Sequence, residues 1–398
     1  MASSGDRLDV LYLTHNYPRH SGDFAGRFVA RLAQLVAARG LRVGVLAPHH
    51  AGASEEEISE GIPVWRFRYG SDESEQIAYR GDFRGMSLTG PRGVWAHARF
   101  IRAFRRAAST LIARTDPRLL HAHWWIPGGW VARTCAGRIP YLVTTHGTDV
   151  RLLASRRWLR PLAGKVFASA SRVTTVSTWL GGVLRSHVGI PQSKLGVAPM
   201  PPDDETFAPS DAPAHDQDSP VILAVTRFTP QKRNEVLLEA LCLLRGRGQR
   251  LHCRVAGEGG GLEEQFKAQV VDRGLSDSIE MLGALPASRL ADEYRGADVT
   301  VLCSVDEGFG MALVEAQLCG CATVGVRSGG ITDIIDDGKT GYLARPDDAS
   351  DLARVLGLAL ANGDRRRLLA AAGRESALAR YSSGAIAERF VGWYRELI

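Results

Sequence analysis

The sequence predicts an α/β protein built of two doubly wound domains in tandem. Three observations lead there. Short apolar runs alternate with helix-patterned stretches along almost the whole chain. At 398 residues the chain is longer than a single hydrophobic core usually organises. A stretch rich in proline and aspartate, residues 190–219, then breaks the alternation near the middle, and the same alternation restarts after it.

In the first half, Leu8–Thr14 is an apolar strand, and the loop His15–Gly26 leads from it into a helix over 24–39. Phe28, Leu32, Leu35 and Val36 recur there at helical spacing, and Gly40 ends the helix. Leu41–Ala47 is the next strand. Strand, glycine-bearing loop, helix and strand form the opening unit of a doubly wound domain. No G-x-G-x-x-G stands in it, so the dinucleotide fingerprint is missing. Gly22 either admits a ligand close to the backbone or only shapes the turn.

Residues 50–92 are poorly periodic, with one strand at Ile62–Arg68. Val94–Ala113 is a basic amphipathic helix that sets Arg99, Arg102, Arg105 and Arg106 beside Trp95, Phe100, Ile101 and Phe104. Arg151–Lys165 repeats the theme with Arg156, Arg157, Trp158 and Arg160. Such faces either lie at a lipid headgroup layer or are ordinary solvated surfaces. Leu119–Trp125 ends a strand with His121 and His123, which lack the carboxylate or further histidine partners that a metal site needs. Tyr141–Thr145 delivers His146-Gly147-Thr148-Asp149 to a strand's carboxyl end, where open α/β sheets bind ligands. A lone histidine is usually a packing residue, but the glycine beside it and the aspartate three on favour a functional His146. Arg172–Val176 is one more short strand.

The break at 190–219 holds six prolines and five aspartates and reads as a linker. Beyond it, Val221–Thr226 restarts the alternation, with Arg227 leaving the strand and Lys232 just before the helix Asn234–Leu244. Cations at a helix N-terminus oppose its dipole unless an anion lies between them, and a diphosphate is such an anion. Leu251–Ala256 runs into Gly257-Glu258-Gly259-Gly260-Gly261, a turn with room for a ligand, and Gly283–Pro286, with Leu285, can edge a base.

The most informative stretch is Glu307-Gly308-Phe309-Gly310-Met311-Ala312-Leu313-Val314-Glu315, which follows the apolar run Ala297–Cys303 and opens a helix. Its backbone N–H groups and the helix dipole converge on one spot, which suits a phosphate. Glu307 and Glu315 are too far apart in helical phase to share a face, so they grip different parts of one ligand or act as a cap and a surface residue. Thr323–Val326 and Ile331–Ile335 continue the alternation, Asp347 caps the next helix, and the last helices run roughly over 349–361, 364–378 and 385–397.

Composition narrows the function classes. No run of about 18 apolar residues is present to cross a bilayer. The polar start, MASSGDRLDV, does not read as a signal peptide, and six scattered cysteines read as reduced thiols, so a cytoplasmic protein is expected. Residues 1–200 carry 27 Lys/Arg against 13 Asp/Glu, and residues 201–398 carry 22 against 30. A basic first half and an acidic second half do not make one nucleic-acid-binding surface. They fit a first domain that meets an anionic partner or a membrane face.

Taken in order, these motifs resemble the retaining glycosyltransferases of family 4, with the GT-B architecture, over about residues 8–395. The two glutamates separated by seven residues carry the resemblance most specifically, with Arg227 and Lys232, Gly257-Glu258-Gly259 and His146-Gly147-Thr148-Asp149 beside them. The resemblance implies two Rossmann-like domains facing across a cleft. They are an acceptor-binding domain over 1–190, a linker over 191–219, a donor-binding domain over 220–380, and a last helix, 381–398, crossing back. It further implies a nucleotide-sugar donor, with UDP the commonest nucleotide of the family, and a glycan, lipid-linked or small-molecule acceptor. Peripheral membrane contact would run through the basic domain, and neither cofactor nor metal is required.

Of the site residues, Glu315 would hold the ribose, and the N–H groups of Gly310, Met311 and Ala312 the phosphates. Arg227 and Lys232 would neutralise the leaving diphosphate. Glu307 would bind sugar hydroxyls, and His146 would contact the sugar. Gly22, Gly257, Leu285 and Phe309 fall on the donor side, Asp23 and Asp149 on the acceptor side.

Two departures stand out: Met200-Pro201-Pro202-Asp203 in the interdomain loop, and Arg233-Asn234 where the family has a glycine after the lysine. The rival readings are a nucleotide-sugar epimerase or a phosphorylase of the same fold, and a non-catalytic sugar- or lipid-binding subunit of a membrane complex. For the phosphorylase, no lysine stands in a setting for pyridoxal phosphate.

Overall fold

A computed structural model describes residues 7–20, 23, 25–75, 77–79, 90–210 and 220–398 of the chain. They form two compact units, one of Met1–Pro201 with Ile386–Ile398, the other of Pro202–Ala385.

In the first unit, β1 (Val10–Leu13) leads through α1 (Arg27–Ala37) to β2 (Val43–Pro48), then to the hairpin β3 (Glu56–Ser59) and β4 (Ile62–Phe67). The long α2 (Gly90–Thr115) precedes β5 (Leu119–His123), a tight turn over Trp124–Gly129, α3 (Trp130–Cys135) and β6 (Tyr141–Thr145). Then come α4 (Thr148–Ser155), α5 (Arg160–Ser169), β7 (Arg172–Thr175), α6 (Thr178–Val188) and β8 (Leu195–Val197). The eight strands lie in the order β3-β4-β2-β1-β5-β6-β7-β8, all pairs parallel except β3 with β4. β1, β2, β5 and β6 are buried along their whole length, as strands covered on both faces must be.

The second unit alternates strictly. It runs β9 (Val221–Val225), α7 (Asn234–Gly246), β10 (His252–Ala256), α8 (Glu263–Asp272), β11 (Ile279–Gly283) and α9 (Ala287–Gly296). It continues with β12 (Val299–Leu302), α10 (Met311–Leu318), β13 (Ala322–Val326), α11 (Ile331–Ile334), β14 (Tyr342–Ala344), α12 (Ala349–Ala361) and α13 (Gly363–Tyr381). Its six strands, all parallel, order as β11-β10-β9-β12-β13-β14.

The last helix, α14 (Ser383–Leu397), runs into the first unit from Ile386 onward. Its Phe390 and Tyr394 are fully buried, and the Tyr394 hydroxyl hydrogen-bonds Tyr12 at 2.8 Å and His121 Nδ1 at 2.6 Å. Gly196 leaves room for the Trp393 ring, which a Cβ at that position would approach to 2.7 Å.

Several sequence expectations change. The segment 191–219 is not linker throughout: β8 pairs with β7 at the edge of the first sheet, a strand of three residues too short to show a period. The chain passes between units at Pro201/Pro202. The stretch Arg151–Lys165 is not one helix. It breaks at Arg156 (φ −127°, ψ 80°), and Pro161, which has no N–H to continue the ladder, sits in the first turn of α5. Asp347 is not the cap of α12; Asp348 is, its Oδ1 accepting from the Asp351 N–H at 2.9 Å, while Asp347 holds a left-handed φ of 55°.

Each sheet reverses its winding direction once near its centre. The reversal lies between β1 and β5 in the first sheet, and between β9 and β12 in the second. In open α/β sheets the crevice beyond the strands' carboxyl ends at that point is where ligands bind. In the second sheet those ends carry Thr226–Arg233 and Cys303–Gly310. In the first they carry residues 14–20 and Trp124–Gly129, with His146 one strand over.

Candidate active site

The loop after β9 is locked from within. Thr226 Oγ1 donates to Asn234 Oδ1 at 2.9 Å, and Asn234 Nδ2 donates to the Arg227 carbonyl at 3.1 Å. Asn234, where the family resemblance leads one to expect different residues after the lysine, is therefore the clasp of this loop. Phe228 is buried, and its N–H donates to the Gly259 carbonyl at 2.7 Å. Gly257 makes the crossing with the next loop: at φ +124°, a Cβ there would fall 1.8 Å from the Thr226 carbonyl oxygen. Its N–H also donates to the Gly283 carbonyl at 2.7 Å, which brings the loop bearing Leu285 alongside. Arg227 is left with its side chain exposed to solvent.

Across the reversal point, the loop after β12 brings Glu307 to Lys232: Lys232 Nζ donates to Glu307 Oε2 at 2.7 Å. Both side chains are about four-fifths buried, with exposures of 20% and 16%. Gly310 then turns the chain at φ 113° into α10, so the N–H groups of Met311 and Ala312 fall in a first turn that has no intrahelical acceptors. Backbone and side chains both brace the loop: the Asp306 N–H donates to Ser328 Oγ at 3.0 Å, and Gln231 Nε2 donates to the Asp306 carbonyl at 3.0 Å. Gly330 N–H donates to the Glu307 carbonyl at 2.8 Å, and a Cβ on Gly330 would meet the Gly308 carbonyl at 2.7 Å. Sequence reading passed over Ser328-Gly329-Gly330, although a glycine pair directly after a buried strand was a signal of close backbone approach.

Phe309 corrects its donor-side assignment. Its ring is buried and stands edge-on to Tyr381 at 5.2 Å, because an apolar ring is more stable in the core than at a phosphate, and only its backbone belongs to the loop. Glu315 lies one helix face away and accepts from the Tyr294 hydroxyl at 3.1 Å. Burial pushes its carboxyl up to about 7, against the lowering effect of Tyr294, with Asp203 adding to the rise. Tyr294, fully buried, is a partner of Glu315 that its sequence context did not disclose.

In the first unit, His146 packs among aromatic rings, 4.2 Å from Trp124, 5.1 Å from Phe28 and 5.3 Å from His123. His123 Nδ1 and His146 Nε2 share a hydrogen bond of 3.1 Å, so His123 orients the ring of His146. Burial holds His121, His123 and His146 well below the usual imidazole range, mutual repulsion adds to this, and His15 falls to about 3. This cluster is a set of neutral imidazoles.

Asp149 is not on an acceptor surface. It is fully buried and accepts from the N–H groups of Trp125 (3.0 Å), His146 (3.0 Å), Gly147 (3.1 Å) and Val150 (3.1 Å). A carboxylate with that many backbone donors is spent on shaping the loop that carries His146. Burial nonetheless raises its carboxyl to about 6. Asp23 is likewise committed inward, its Oδ2 accepting from Arg19 Nε at 2.6 Å. Burial alone would raise that carboxyl, but Arg19 and the Arg19 and Ala25 N–H groups outweigh it and hold it well below the carboxylate range. Gly22 lies outside the described residues.

Among the described residues one trio, His49, Asp72 and Glu75, has potential metal-ligating atoms within 4.8 Å of one another. Both nitrogens of His49 are already engaged there, Nδ1 with Glu75 at 2.6 Å and Nε2 with the Ala53 carbonyl at 3.0 Å. All six cysteines are free. No described helix is long and apolar enough to cross a membrane.

Comparison with known proteins decides the family. The family described as glycosyl transferases group 1 matches residues 208–376, and Glycosyltransferase Family 4 matches 25–206. A D-inositol 3-phosphate glycosyltransferase of Saccharomonospora viridis is 30% identical over 303 residues, 70% of each chain. The chain belongs to the group 1, family 4 glycosyltransferases.

A second relative, the D-inositol 3-phosphate glycosyltransferase of Geodermatophilus obscurus, is 32% identical over 284 residues. That match covers 65% of this chain and only 62% of the relative's length. Among solved structures, sucrose-phosphate synthase from Thermosynechococcus elongatus superposes with a TM-score of 0.79 at 22% identity, covering 98% of this chain and 99% of the other. HepE of Anabaena, solved in complex with UDP-glucose, gives 0.74 at 16% identity, covering 98% and 100%. The chain thus has the GT-B fold.

Proposed function

We propose that this glycosyltransferase moves a hexose from a nucleotide sugar, a UDP-sugar foremost, to a hydroxyl of an anionic acceptor, with retention and without a metal. The observation that carries the reading is the Lys232–Glu307 pair, set at the switch point of the second sheet, next to the first turn of α10. Glycosyl transfer from a diphosphate leaves negative charge on the departing phosphate and positive charge on the anomeric carbon. Lys232, Arg227 and the free N–H groups of α10 match the first, and preorganised donors of this kind are usually the largest electrostatic contribution to such a step. Glu307, released from Lys232 as the phosphate takes that lysine over, matches the sugar side. Glu315 supplies a carboxylate for the ribose diol.

No side chain stands out as a nucleophile for a covalent intermediate, and same-face attack is the route to retention that we favour. The anionic acceptor accords with the excess of 27 Lys/Arg over 13 Asp/Glu in residues 1–200, and with relatives named for inositol 3-phosphate.

The test is a thermal-shift panel of UDP-, GDP- and ADP-sugars with chelator present, against wild type and Glu315→Ala. A ligand at about 100-fold excess over its dissociation constant stabilises by about 2.7 kcal/mol. Stabilisation of wild type alone by one nucleotide supports the reading and names the donor. Absence of any shift at millimolar ligand removes it. An epimerase of the same fold would consume the donor with no acceptor present, so product analysis without acceptor separates the two.

A further inference from the structure

Beneath His146 the sheet carries two further histidines that the donor chemistry does not use. Alternation along β5 puts His121 and His123 on one face of the sheet, and their rings pack 4.1 Å apart. β5 pairs with β6, His123 lying opposite Thr144, so His146 at the end of β6 comes within reach of His123. All three rings are neutral, because burial opposes a charge on them. A neutral imidazole has one N–H and one bare nitrogen.

His123 Nδ1 and His146 Nε2 face each other at 3.1 Å, so one of the two carries the proton of that bond. The other nitrogen of His123 decides which. Nε2 is buried and has no hydrogen-bond partner among the described residues. The rings around it hold their polar atoms elsewhere. His121 engages the Tyr394 hydroxyl through Nδ1 (2.6 Å) and Thr144 Oγ1 through Nε2 (2.7 Å). The Tyr12 hydroxyl bonds that of Tyr394, and the Trp124 indole N–H donates to Thr148 Oγ1. A proton on His123 Nε2 would make an orphaned buried N–H, which is rarer in proteins than an unused acceptor. The proton therefore stands on Nδ1 and is donated to His146 Nε2. His146, neutral and accepting on Nε2, carries its own proton on Nδ1.

A histidine that serves as a base is held the other way round. Its second nitrogen donates to a carboxylate or carbonyl behind it, and the first is bare to take a proton. Behind His146 stands a donor instead. Asp149, three residues on, is taken up by four backbone N–H groups. His146 keeps part of its surface exposed, and what it offers a ligand there is an N–H.

We infer that His123 is a positioning residue that fixes the proton of His146 on Nδ1, so that His146 meets the sugar as a hydrogen-bond donor and not as a base. That His146 meets a sugar rests on the transferase reading above; the placement of the protons does not.

The experiment is proton–nitrogen correlation NMR of the full chain with isotope-labelled histidine, near neutral pH, assigned through His123 and His146 variants. It reads which nitrogen of each ring bears the proton, and the coupling across the N–H···N bond identifies the pair. The expected result is a proton bonded to His123 Nδ1 and coupled to His146 Nε2, with a second proton on His146 Nδ1. A proton bonded to His146 Nε2 overturns the inference without any variant.

His123→Met puts only a weak acceptor in place of the donor, and His146 should shift toward the Nε2-protonated form. His123→Asn replaces the donor with an amide N–H and should keep the wild-type form. Turnover at saturating donor should fall about tenfold in His123→Met and recover in His123→Asn, with the melting temperature as the check on folding. A His146 protonated alike in wild type and His123→Met takes His123 out of this role. The expected protons in a protein that transfers no sugar would sink the proposed function and leave the pair. Sugar transfer by a protein whose His146 carries its proton on Nε2 would sink the inference alone.

Discussion

Lys232 and Glu307, 75 residues apart, meet as an ion pair of 2.7 Å at the point where the second sheet reverses its winding. Each was expected to hold a different part of the donor, the lysine the diphosphate and the glutamate the sugar. In the structure they hold each other, so under the proposed function the donor's diphosphate takes the lysine over from the glutamate. Lys232→Ala should weaken UDP about tenfold to hundredfold, the equivalent of a charge-assisted hydrogen bond at about 1.5–3 kcal/mol, and leave uridine unaffected. Paired calorimetric titrations with UDP and uridine decide this. An equal loss for both would take Lys232 off the phosphate.

Under the proposed function, Glu315 gives donor binding a pH dependence. Its carboxyl is raised from 4.5 to about 7 by burial, so between those values the folded protein holds a proton that the unfolded chain has released. Its contribution to stability is present in full below about pH 4.5 and is lost as pH rises through about 7. A ribose diol donates to the ionised form, so donor affinity should rise with pH through about 7. Tyr294→Phe removes a donor to that carboxylate and should move the inflection up by about one unit. Donor affinity measured from pH 5.5 to 8.5 in both proteins is the check, and a flat wild-type profile would exclude Glu315 from the ribose.

The histidine cluster acts in the opposite direction. His15, His121, His123 and His146 are held neutral by burial, with folded values well below 6.5. As pH falls below about 6.5 the unfolded chain takes up protons that the folded one refuses, and each such histidine removes about 1.4 kcal/mol per pH unit. Chemical unfolding followed between pH 7.5 and 5.5 should show a loss that is smaller in His123→Gln. An identical slope in the variant would remove His123 from the acid-sensitive set.

Gly257→Ala is expected to be severe. The new Cβ would lie 1.8 Å from the Thr226 carbonyl oxygen at a φ of +124°, so backbone has to move. Strain of this kind costs about 1–3 kcal/mol or more, which for a unit of this size lowers the melting temperature by several degrees, roughly 2–4 °C per kcal/mol. Gly182→Ala, inside α6 with nothing within 4 Å of a Cβ, should leave the melting temperature unchanged or raised and serves as the control.

Much of this protein was legible along the chain because its signals are local. Buried parallel strands read as apolar runs, a strand that ends in glycine and opens a helix reads as a phosphate turn, and Glu307 and Glu315 sit at a spacing that only needs counting. The alternation alone gave the doubly wound class, and the charge counts gave the basic and acidic halves. What only tertiary structure decided are the partners. Asp149 and Asp23 look like surface carboxylates in sequence but are turned inward by four hydrogen bonds each, those of Asp149 from Trp125 on another loop and from His146, Gly147 and Val150 beside it, those of Asp23 from Arg19 and Ala25 of its own loop. Phe309 belongs to the core because Tyr381 is there to pack on it. Tyr294 reaches Glu315, His123 reaches His146, and Gly330 receives the Glu307 loop, all across gaps of about 20 residues. Periodicity reports which face of an element is buried. It carries no information about which other element covers that face, and that covering shifts the buried groups Glu315, Asp149 and His146.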